Sequence, residues 1–270
     1  KKVGDAAGTD FTGDVRCITR LKDGTLLVGT KAKQLIRYAK EGTFMGFINQ
    51  QGKMQPQATE FLGSAYNVQQ DNYGRLWIGL REEGLVCIDK PFTNQQKLHH
   101  YRNHDTPRLP MDQIFDLHLS AKTGWLWIAT WGKGIVFIDT QSPKLNLNSL
   151  SASVRNMERS EMLQVRRIQE LGDTIAVSTT MGIQKGKLIS RIGDIDVSGI
   201  VRVGKLLYVG AYSQGAFLVD KANELQQIDI PGLGDCIHSI QGCLGNQVLF
   251  TNPDGLILYD TQRGSVRYFD

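Results

Sequence analysis

The sequence has 270 residues, enough for one large domain or two small ones with a core that needs neither metals nor disulfides. Its 31 lysines and arginines exceed its 27 acidic residues by four and are spread along the chain, which excludes the dense basic surface typical of a nucleic-acid-binding protein. With 41% hydrophobic and 21% charged residues the chain is not of the disordered class, and no apolar run approaches the roughly 18 residues of a membrane span.

Glycine is abundant and proline scarce, 29 against 7, which indicates many tight turns between short strands. A repeated pattern accounts for these turns. In chain order, each repeat has an apolar strand, a glycine turn, a second strand with a small residue near its end, and a third strand that begins at glycine in five of the six copies. The second strand recurs at residues 26–30, 76–80, 126–130, 207–211 and 248–252, with a degenerate copy at 175–179.

The small residue of the second strand marks the period of the repeat. Successive markers lie 50, 50, 49, 32 and 41 residues apart; periods of about 40 to 50 are typical of strand-rich propeller blades, and the pattern lacks the paired helices of helical solenoids. We therefore predict an all-β fold, a β-propeller of four-stranded antiparallel blades, with residues 1–270 as a single domain. The six predicted blades are 13–50, 63–103, 112–150, 163–192, 197–230 and 236–270. The markers are Gly29, Gly79, Ala129, Ser178, Gly210 and Thr251.

Other positions of the repeat have predicted structural roles. The small marker is expected where a neighbouring blade comes close. Trp77 and Trp127 share one repeat position and are expected to pack between blades rather than contact a ligand. Aspartates at turn positions are expected to accept hydrogen bonds from the turn backbone rather than bind calcium. These aspartates are Asp23, Asp71 and Asp254.

The best-preserved copies carry a family resemblance. Leu76-Trp-Ile-Gly-Leu80, followed by Gly84-Leu85 and Ile88-Asp89, resembles the two-component regulator propeller repeat, and the copy at 126–139 is nearly as similar. The resemblance extends over roughly residues 13 to 270. It implies the periplasmic sensor region of a hybrid two-component histidine kinase of Bacteroidetes, a signal-transduction protein that detects oligosaccharides from polysaccharide breakdown.

The resemblance also implies partners and a blade number. The expected partner is an oligosaccharide or a neighbouring domain of a larger sensor, with a homodimer possible in the full-length protein. We expect no nucleic-acid partner and no membrane contact by this segment. The family's propeller usually has seven blades, whereas six repeats are visible here. Either the ring has six blades, or a seventh lies outside the chain, or one is hidden between Leu145 and Leu163.

The sequence shows no catalytic or cofactor-binding motif. Three of the five histidines, His99, His100 and His104, are expected on a solvated loop between blades, and the nucleophile-elbow, zinc-protease and P-loop strings are missing from the sequence. The four cysteines have no C-x-x-C spacing, which favours buried free thiols over a bridge, for which Cys236 and Cys243 are the only sequence-local pair. We therefore predict that this region is not an enzyme and holds neither cofactor nor metal.

A candidate ligand-binding surface follows from propeller geometry. Residues just past the second strands differ from blade to blade, whereas packing positions repeat, so ligand specificity is expected at the former. Aromatic members would stack on sugar faces, and basic members would meet hydroxyls or an acidic group. The candidate ring is Lys31, Arg81, Trp131, Thr180 and Tyr212, with Pro253 in the sixth repeat. Asp14, Asn67, Gln113 and Gln164, at the starts of first strands, are expected to add hydrogen bonds.

Three functions remain open at this point. The leading hypothesis is a non-catalytic module that senses a ligand and transmits its presence by rigid-body rearrangement. The second is a protein-interaction propeller of an envelope or secretion complex, which binds no sugar. The third is a propeller enzyme such as a lyase or lactonase, which would need acids and histidines around a central metal.

Overall fold

The computed structural model describes nine segments of the chain: 14–105, 109–141, 165–171, 174–179, 182–185, 188–192, 195–220, 224–243 and 245–269. The chain divides into two compact units, Lys1–Met162 and Leu163–Asp270. All regular structure in the described segments is β-strand, in agreement with the predicted fold class. Within these segments there is no helix of the length and apolar character that a membrane crossing requires.

The first unit contains three antiparallel sheets whose strands follow one another in chain order. The first sheet has β1 (Val15–Arg20), β2 (Leu26–Thr30), β3 (Leu35–Tyr38), β4 (Phe44–Ile48) and β5 (Met54–Gln55). The second has β6 (Ala65–Gln70), β7 (Leu76–Leu80), β8 (Gly84–Asp89) and β9 (Lys97–Tyr101). The third has β10 (Ile114–Leu119), β11 (Trp125–Thr130) and β12 (Ile135–Asp139).

The second unit contains three four-stranded antiparallel sheets with the same sequential order. The first has β13 (Val165–Leu171), β14 (Thr174–Thr179), β15 (Gly182–Lys185) and β16 (Leu188–Ile192). The second has β17 (Val197–Val203), β18 (Leu206–Ala211), β19 (Gly215–Val219) and β20 (Leu225–Ile228). The third has β21 (Ser239–Gly242), β22 (Gln247–Asn252), β23 (Gly255–Asp260) and β24 (Val266–Phe269).

Each of the six sequence repeats thus forms its own sheet, including the degenerate copy around 175–179. Two sheets differ from the predicted four strands, because the first gains β5 and the third shows three strands in the described part of the chain. The stretch between Leu145 and Leu163, where a seventh blade was considered, lies outside the described residues. The single-domain organisation and the blade boundaries remain predictions.

The turns of the second sheet show why its strands begin and end where they do. Asp71 Oδ1 accepts hydrogen bonds from the backbone N–H groups of Tyr73 and Arg75, so its carboxylate holds the turn between β6 and β7. Gly74 has φ +79° in this turn. Gly84, at the start of β8, has φ +80°, and a Cβ there would lie 2.2 Å from the carbonyl oxygen of Tyr101. Both positions therefore require glycine.

The small marker residue is confirmed as a site of close approach between neighbouring sheets. A Cβ on Gly79 would lie 2.7 Å from Ile114 Cγ2 of the third sheet. In the second unit, a Cβ on Gly210 would lie 2.8 Å from Ile237 Cγ2. These glycine markers thus let the next blade pack directly against the strand backbone, which is what stacked blades require.

Each unit has its own apolar core between successive sheets. In the first unit Trp77 is fully buried and packs with Ile114, Leu117 and Leu126 of the third sheet, as predicted. Trp127, at the same repeat position, is only half-buried and lies against Phe137, with ring centroids 5.2 Å apart. In the second unit, the core between its last two sheets is built around Phe250, which has no exposed surface.

The cysteines are all free thiols, so Cys236 and Cys243 are not bridged. Cys87 is fully buried in β8, and burial raises the pKa of its thiol to about 12. Cys243, after β21, is exposed. The four cysteines are therefore not equally buried, although the sequence pattern favoured buried thiols for all of them.

Candidate ligand-binding surface

The residue that follows the second strand is held in the same way in four blades. Its N–H donates to the carbonyl of the residue that precedes the first strand of the same blade, which ties the two strand ends together. Four of the predicted ring residues therefore occupy structurally equivalent positions at one end of their sheets. The bonds are Lys31 to Asp14 (2.8 Å), Arg81 to Ser64 (3.0 Å), Trp131 to Gln113 (3.0 Å) and Tyr212 to Asp196 (2.9 Å).

Two predicted positions in the other blades stand apart from this arrangement. Thr180 lies outside the described residues. Pro253 is exposed after β22, and proline has no N–H with which to make the equivalent bond. In that last sheet a different bond closes the strand end, from the N–H of His238 to the carbonyl of Thr251 (2.8 Å).

The polar residues predicted at first-strand starts are only partly where the sequence suggested. Asp14 and Gln113 precede β1 and β10 as expected, and Gln164 lies outside the described residues. Asn67 lies inside β6, where its Nδ2 donates to Asp116 Oδ1 over 2.6 Å. Ser64 holds the position equivalent to Asp14, because the strand begins two residues earlier than the apolar pattern indicated.

A β-bulge near the start of the first strand supplies a second set of equivalent positions. In five blades the register of the first strand shifts by one residue against the second strand, next to the position just described. Bulges of this kind turn a side chain away from the regular alternation of the strand and are frequent beside binding sites. The extra residues are Arg16, Tyr66, Phe115, Arg166 and Ser198.

In the first unit, side chains from these two sets come together. The Trp131 and Phe115 rings stack with centroids 4.7 Å apart and planes 18° from parallel. Tyr66 meets Phe115 edge to face at 6.0 Å. The guanidinium carbon of Arg81 lies 4.0 Å from the Phe115 ring centroid and 5.0 Å from that of Trp131. With Arg16, whose guanidinium carbon is 5.7 Å from the Tyr66 ring, these residues form what we call the arginine–aromatic cluster.

The cluster joins two of the predicted ring residues directly, Arg81 and Trp131. Lys31 is exposed on the neighbouring blade, and its carbonyl accepts a hydrogen bond from Ser64 Oγ over 2.8 Å. Since the N–H of Arg81 donates to the carbonyl of the same serine, Lys31 and Arg81 are adjacent at this end of the unit. Three of the five ring candidates therefore share one surface.

The second unit has its own pairing at the equivalent positions. Arg166 donates from Nε and Nη2 to the two carboxylate oxygens of Asp196, both over 3.0 Å. Its guanidinium carbon lies 4.5 Å from the ring centroid of Tyr212. The cation thus covers the ring that the sequence suggested for sugar stacking, and it is already neutralised by a carboxylate of the same chain.

Sequence analysis missed the bulge residues of the cluster and the partner Asp196. A bulge changes which way a side chain points but leaves no fixed residue type, and the five bulge positions carry arginine, tyrosine, phenylalanine and serine. The only available signal was the irregular spacing between first-strand starts and the turn that follows. Sequence repeats alone did not reveal it.

The described residues show no group of three or more histidine, cysteine, aspartate or glutamate side chains arranged to hold a metal ion. His99 and His100 lie in β9 rather than in a loop, and a ring nitrogen of His100 contacts the carbonyl of Glu83. His104 is exposed and lies 3.8 Å from Asp105. The side chains of these three histidines therefore have different neighbours.

A separate cavity of about 360 Å³ lies in the second unit. It is bounded by Gly215 and Ala216 of β19 and by residues 227–230 and 233–235. No aromatic or basic side chain lines it, so it lacks the groups that stack on sugars or bind acidic groups. The arginine–aromatic cluster is therefore the better candidate surface.

The six sequential antiparallel sheets are the blades of a β-propeller, a fold that this chain shares with solved structures over nearly its whole length. Solved structures with this fold include the extracellular domains of two hybrid two-component systems of B. thetaiotaomicron. One has a TM-score of 0.70 at 18% identity and matches 96% of this chain and 35% of its own. The second has a TM-score of 0.71 at 18% identity and matches 100% of this chain and 38% of its own.

The same fold also occurs in an enzyme, streptogramin B lyase, with a TM-score of 0.61 at 12% identity over 100% of this chain and 86% of the lyase. The chain spans a little over a third of the length of the two extracellular domains that it matches. No protein-family profile and no curated protein matches the sequence. At these identities, the likeness to solved structures shows the fold alone.

Proposed function

We propose that the chain is a non-catalytic ligand-sensing module, part of the periplasmic region of a hybrid two-component sensor, and that its ligand is an oligosaccharide. The observation that carries the proposal is the stacked pair of Trp131 and Phe115 with Arg81 beside it. These residues occupy positions that are equivalent between blades in backbone but different in side chain. A repeated scaffold with a non-repeated surface is the arrangement expected of a recognition site.

The chemistry of the cluster suits a sugar. Aromatic rings contact the apolar C–H face of a pyranose, and a guanidinium offers several hydrogen-bond donors to oxygen atoms. Trp131 is partly exposed, so its indole remains accessible to a ligand while Phe115 supports it from within. The likeness to extracellular domains of two-component systems and the repeat motif at 76–89 support a sensor located outside the cytoplasm.

The proposed mechanism requires no bond-making by this chain. The three sheets of the first unit pack through fully buried side chains such as Trp77 and Leu80, so each blade resists internal deformation. The effect of binding a ligand that contacts residues from two blades would be transmitted as a rigid-body shift of the blades rather than as a local change. Arg81 and Trp131 come from different blades, so one bound sugar would connect both.

The test is calorimetric titration of the purified chain with a broad panel of plant, host and microbial oligosaccharides. Trp131→Ala should weaken binding of the responding glycan by about tenfold or more, the usual loss when a central aromatic anchor is removed. Phe269→Ala is the matched control, since Phe269 is an exposed aromatic residue at the end of β24, outside the cluster. That variant should bind like the unaltered protein.

The competing functions predict different results. If no glycan of the panel binds and a specific protein partner is recovered instead, the protein-interaction propeller would be favoured. Turnover of a glycan, together with a tightly bound metal in purified protein, would favour the enzyme. Either result would contradict the sensor proposal.

A further inference from the structure

We propose that the arginine–aromatic cluster selects an acidic sugar, and that Arg81 binds the carboxylate of a hexuronate residue. This inference rests on the proposed function, since it names the class of oligosaccharide that the same surface would take. It is carried by Arg81, whose guanidinium contacts aromatic rings and forms no ion pair among the described residues.

Arg81 is held by aromatic rings rather than by an anion. Its guanidinium carbon lies 4.0, 5.0 and 5.6 Å from the ring centroids of Phe115, Trp131 and Tyr66. Its Nη1 atom is buried and has no hydrogen-bond partner in the described part of the chain. Removing a guanidinium nitrogen from water without a partner is unfavourable, and contact with aromatic rings only partly offsets that cost.

The contrast with Arg166 shows what Arg81 lacks. Both arginines lie beside an aromatic ring at the strand ends of their blades, and both are only partly exposed. Arg166 donates from two guanidinium nitrogens to both carboxylate oxygens of Asp196. Asp196 precedes the first strand of the blade that follows Arg166, and the same position beside Arg81 and the bulge residue Arg16 is Ser64, which has no carboxylate. A ligand carboxylate would supply the planar, two-oxygen partner that a guanidinium favours.

A second cation reinforces this preference. Arg16 lies 5.7 Å from the Tyr66 ring, which Arg81 also contacts, so two guanidinium groups flank one aromatic side chain. Asp14 is the nearest acidic partner of Arg16, at 3.6 Å, and its side chain is 67% exposed, which makes the pair weak. Lys31 adds a third, exposed positive charge at this edge. Glu82 and Glu83 follow Arg81 in the loop before β8, and Asp116, next to Phe115, accepts a hydrogen bond from Asn67.

The stacked rings complete the selectivity. A hexuronate presents an apolar C–H face and a carboxylate at one edge of the same ring. Trp131 offers the aromatic surface with the buried Phe115 behind it, and the guanidinium carbon of Arg81 lies over Phe115 and 5.0 Å from the Trp131 ring centroid. A neutral hexose would use the aromatic surface alone and would leave the arginine without an anionic partner.

The test compares acidic oligosaccharides with their own carboxyl-reduced forms, which keep the linkage and ring but lose the charge. Probes are galacturonate oligomers of two to four sugars and glucuronate-containing disaccharides, titrated into the whole chain and followed by calorimetry and tryptophan fluorescence. Acidic probes should bind at least about tenfold more tightly than the reduced ones, and binding should weaken with added salt.

Variants assign that preference to the arginine. Arg81→Gln should abolish the difference between acidic and reduced probes, whereas Arg81→Lys, which keeps the charge but not the planar fork, should retain part of it. Arg202→Gln is the control, because Arg202 is an exposed arginine on β17 of the other unit. It should bind like the unaltered chain, and thermal unfolding of each variant verifies that it is folded.

The outcomes separate the two proposals. If reduced or other neutral glycans bind as tightly as acidic ones, or if Arg81→Gln keeps the acidic preference, recognition of the carboxylate is overturned while glycan sensing stands. If no saccharide of either kind binds, both this inference and the proposed function fail.

Discussion

Arg75 donates from Nε to the carboxylate of Asp71 over 2.5 Å, and the two side chains are 3% and 0% exposed. The same carboxylate accepts the indole N–H of Trp77 over 2.8 Å, and Arg75 reaches the carbonyl of Thr140 on the next blade over 2.7 Å. One buried aspartate thus joins the hairpin turn, the repeated tryptophan and the neighbouring blade. This network gives a physical reason for the spacing of aspartate and tryptophan in the repeat.

Asp71→Asn should destabilise the protein by about 3 kcal/mol, because it leaves a buried guanidinium without its anion. Chemical denaturation with urea measures the change in the free energy of unfolding. Asp254→Asn is the matched control, since both aspartates were predicted to hold a turn. In the structure that role belongs instead to Asn252, whose Oδ1 accepts the N–H of Asp254, while Asp254 is exposed. Its replacement should change stability by less than about 0.5 kcal/mol. Equal effects of the two variants would contradict the buried network.

Gly79→Ala should cost about 1–3 kcal/mol, the range for overpacking a tight interior, because the new Cβ would lie 2.7 Å from Ile114 Cγ2. The control is Gly63→Ala in the same unit. There the nearest atoms belong to the Glu83 side chain, 3.1 Å and 3.3 Å away, and this side chain can move aside. Thermal unfolding of the two variants compares them. A Gly63→Ala protein as unstable as Gly79→Ala would show that close blade packing is not the cause.

The turn of the first blade should contribute stability that depends on pH. Burial is the largest single influence on Asp23 and raises its pKa, but the hydrogen bonds from Thr25 and the charge of Arg37 together outweigh it, so the pKa lies below its ordinary value. The contribution is therefore present above the unfolded-state pKa of about 3.9 and is lost as the pH falls through the lower folded value. Asp23→Asn should destabilise at pH 7 and have little effect in strong acid, as followed by urea denaturation at several pH values. In an Arg37→Gln background the pH dependence should shrink, and an unchanged dependence would count against this ion pair.

The thiols should react in an order set by burial. Cys243 is exposed and should be alkylated first by iodoacetamide in the folded protein at pH 8. Cys87 is fully buried with a pKa of about 12, so it should react only after denaturation. Peptide mass mapping of timed samples identifies each site. In Cys243→Ser, the fast phase should disappear, and early labelling of Cys87 would contradict the packing of β8.

The strand pattern of this protein was largely predictable from its residues. Glycines at turns and small residues at the blade contacts recur because the backbone itself needs them, as at Gly84 and Gly79. Such requirements act within a few residues or at one repeated contact, and therefore they produce a pattern that can be recognised in a single sequence. The extra strand β5 left no such mark, since two residues make no periodic pattern.

The candidate site was predictable only in part. The ring positions followed from the repeat, and Arg81 and Trp131 do lie together. Their partners Tyr66 and Phe115 could not be found in the same way, because a bulge depends on how two strands align and not on residue type. The position of Asn67 inside β6 was misjudged for the same reason.

The sequence by itself determined that the chain forms repeated antiparallel sheets, because hydrophobic alternation and turn glycines are local and each repeat shows them again. Only the tertiary structure decided which side chains meet at the strand ends. Arg166 pairs with an anion because Asp196 stands before the first strand of the next blade, whereas Ser64 holds that position beside Arg16 and Arg81. The residues involved are far apart in the chain, so their side chains interact only when folding places them in contact.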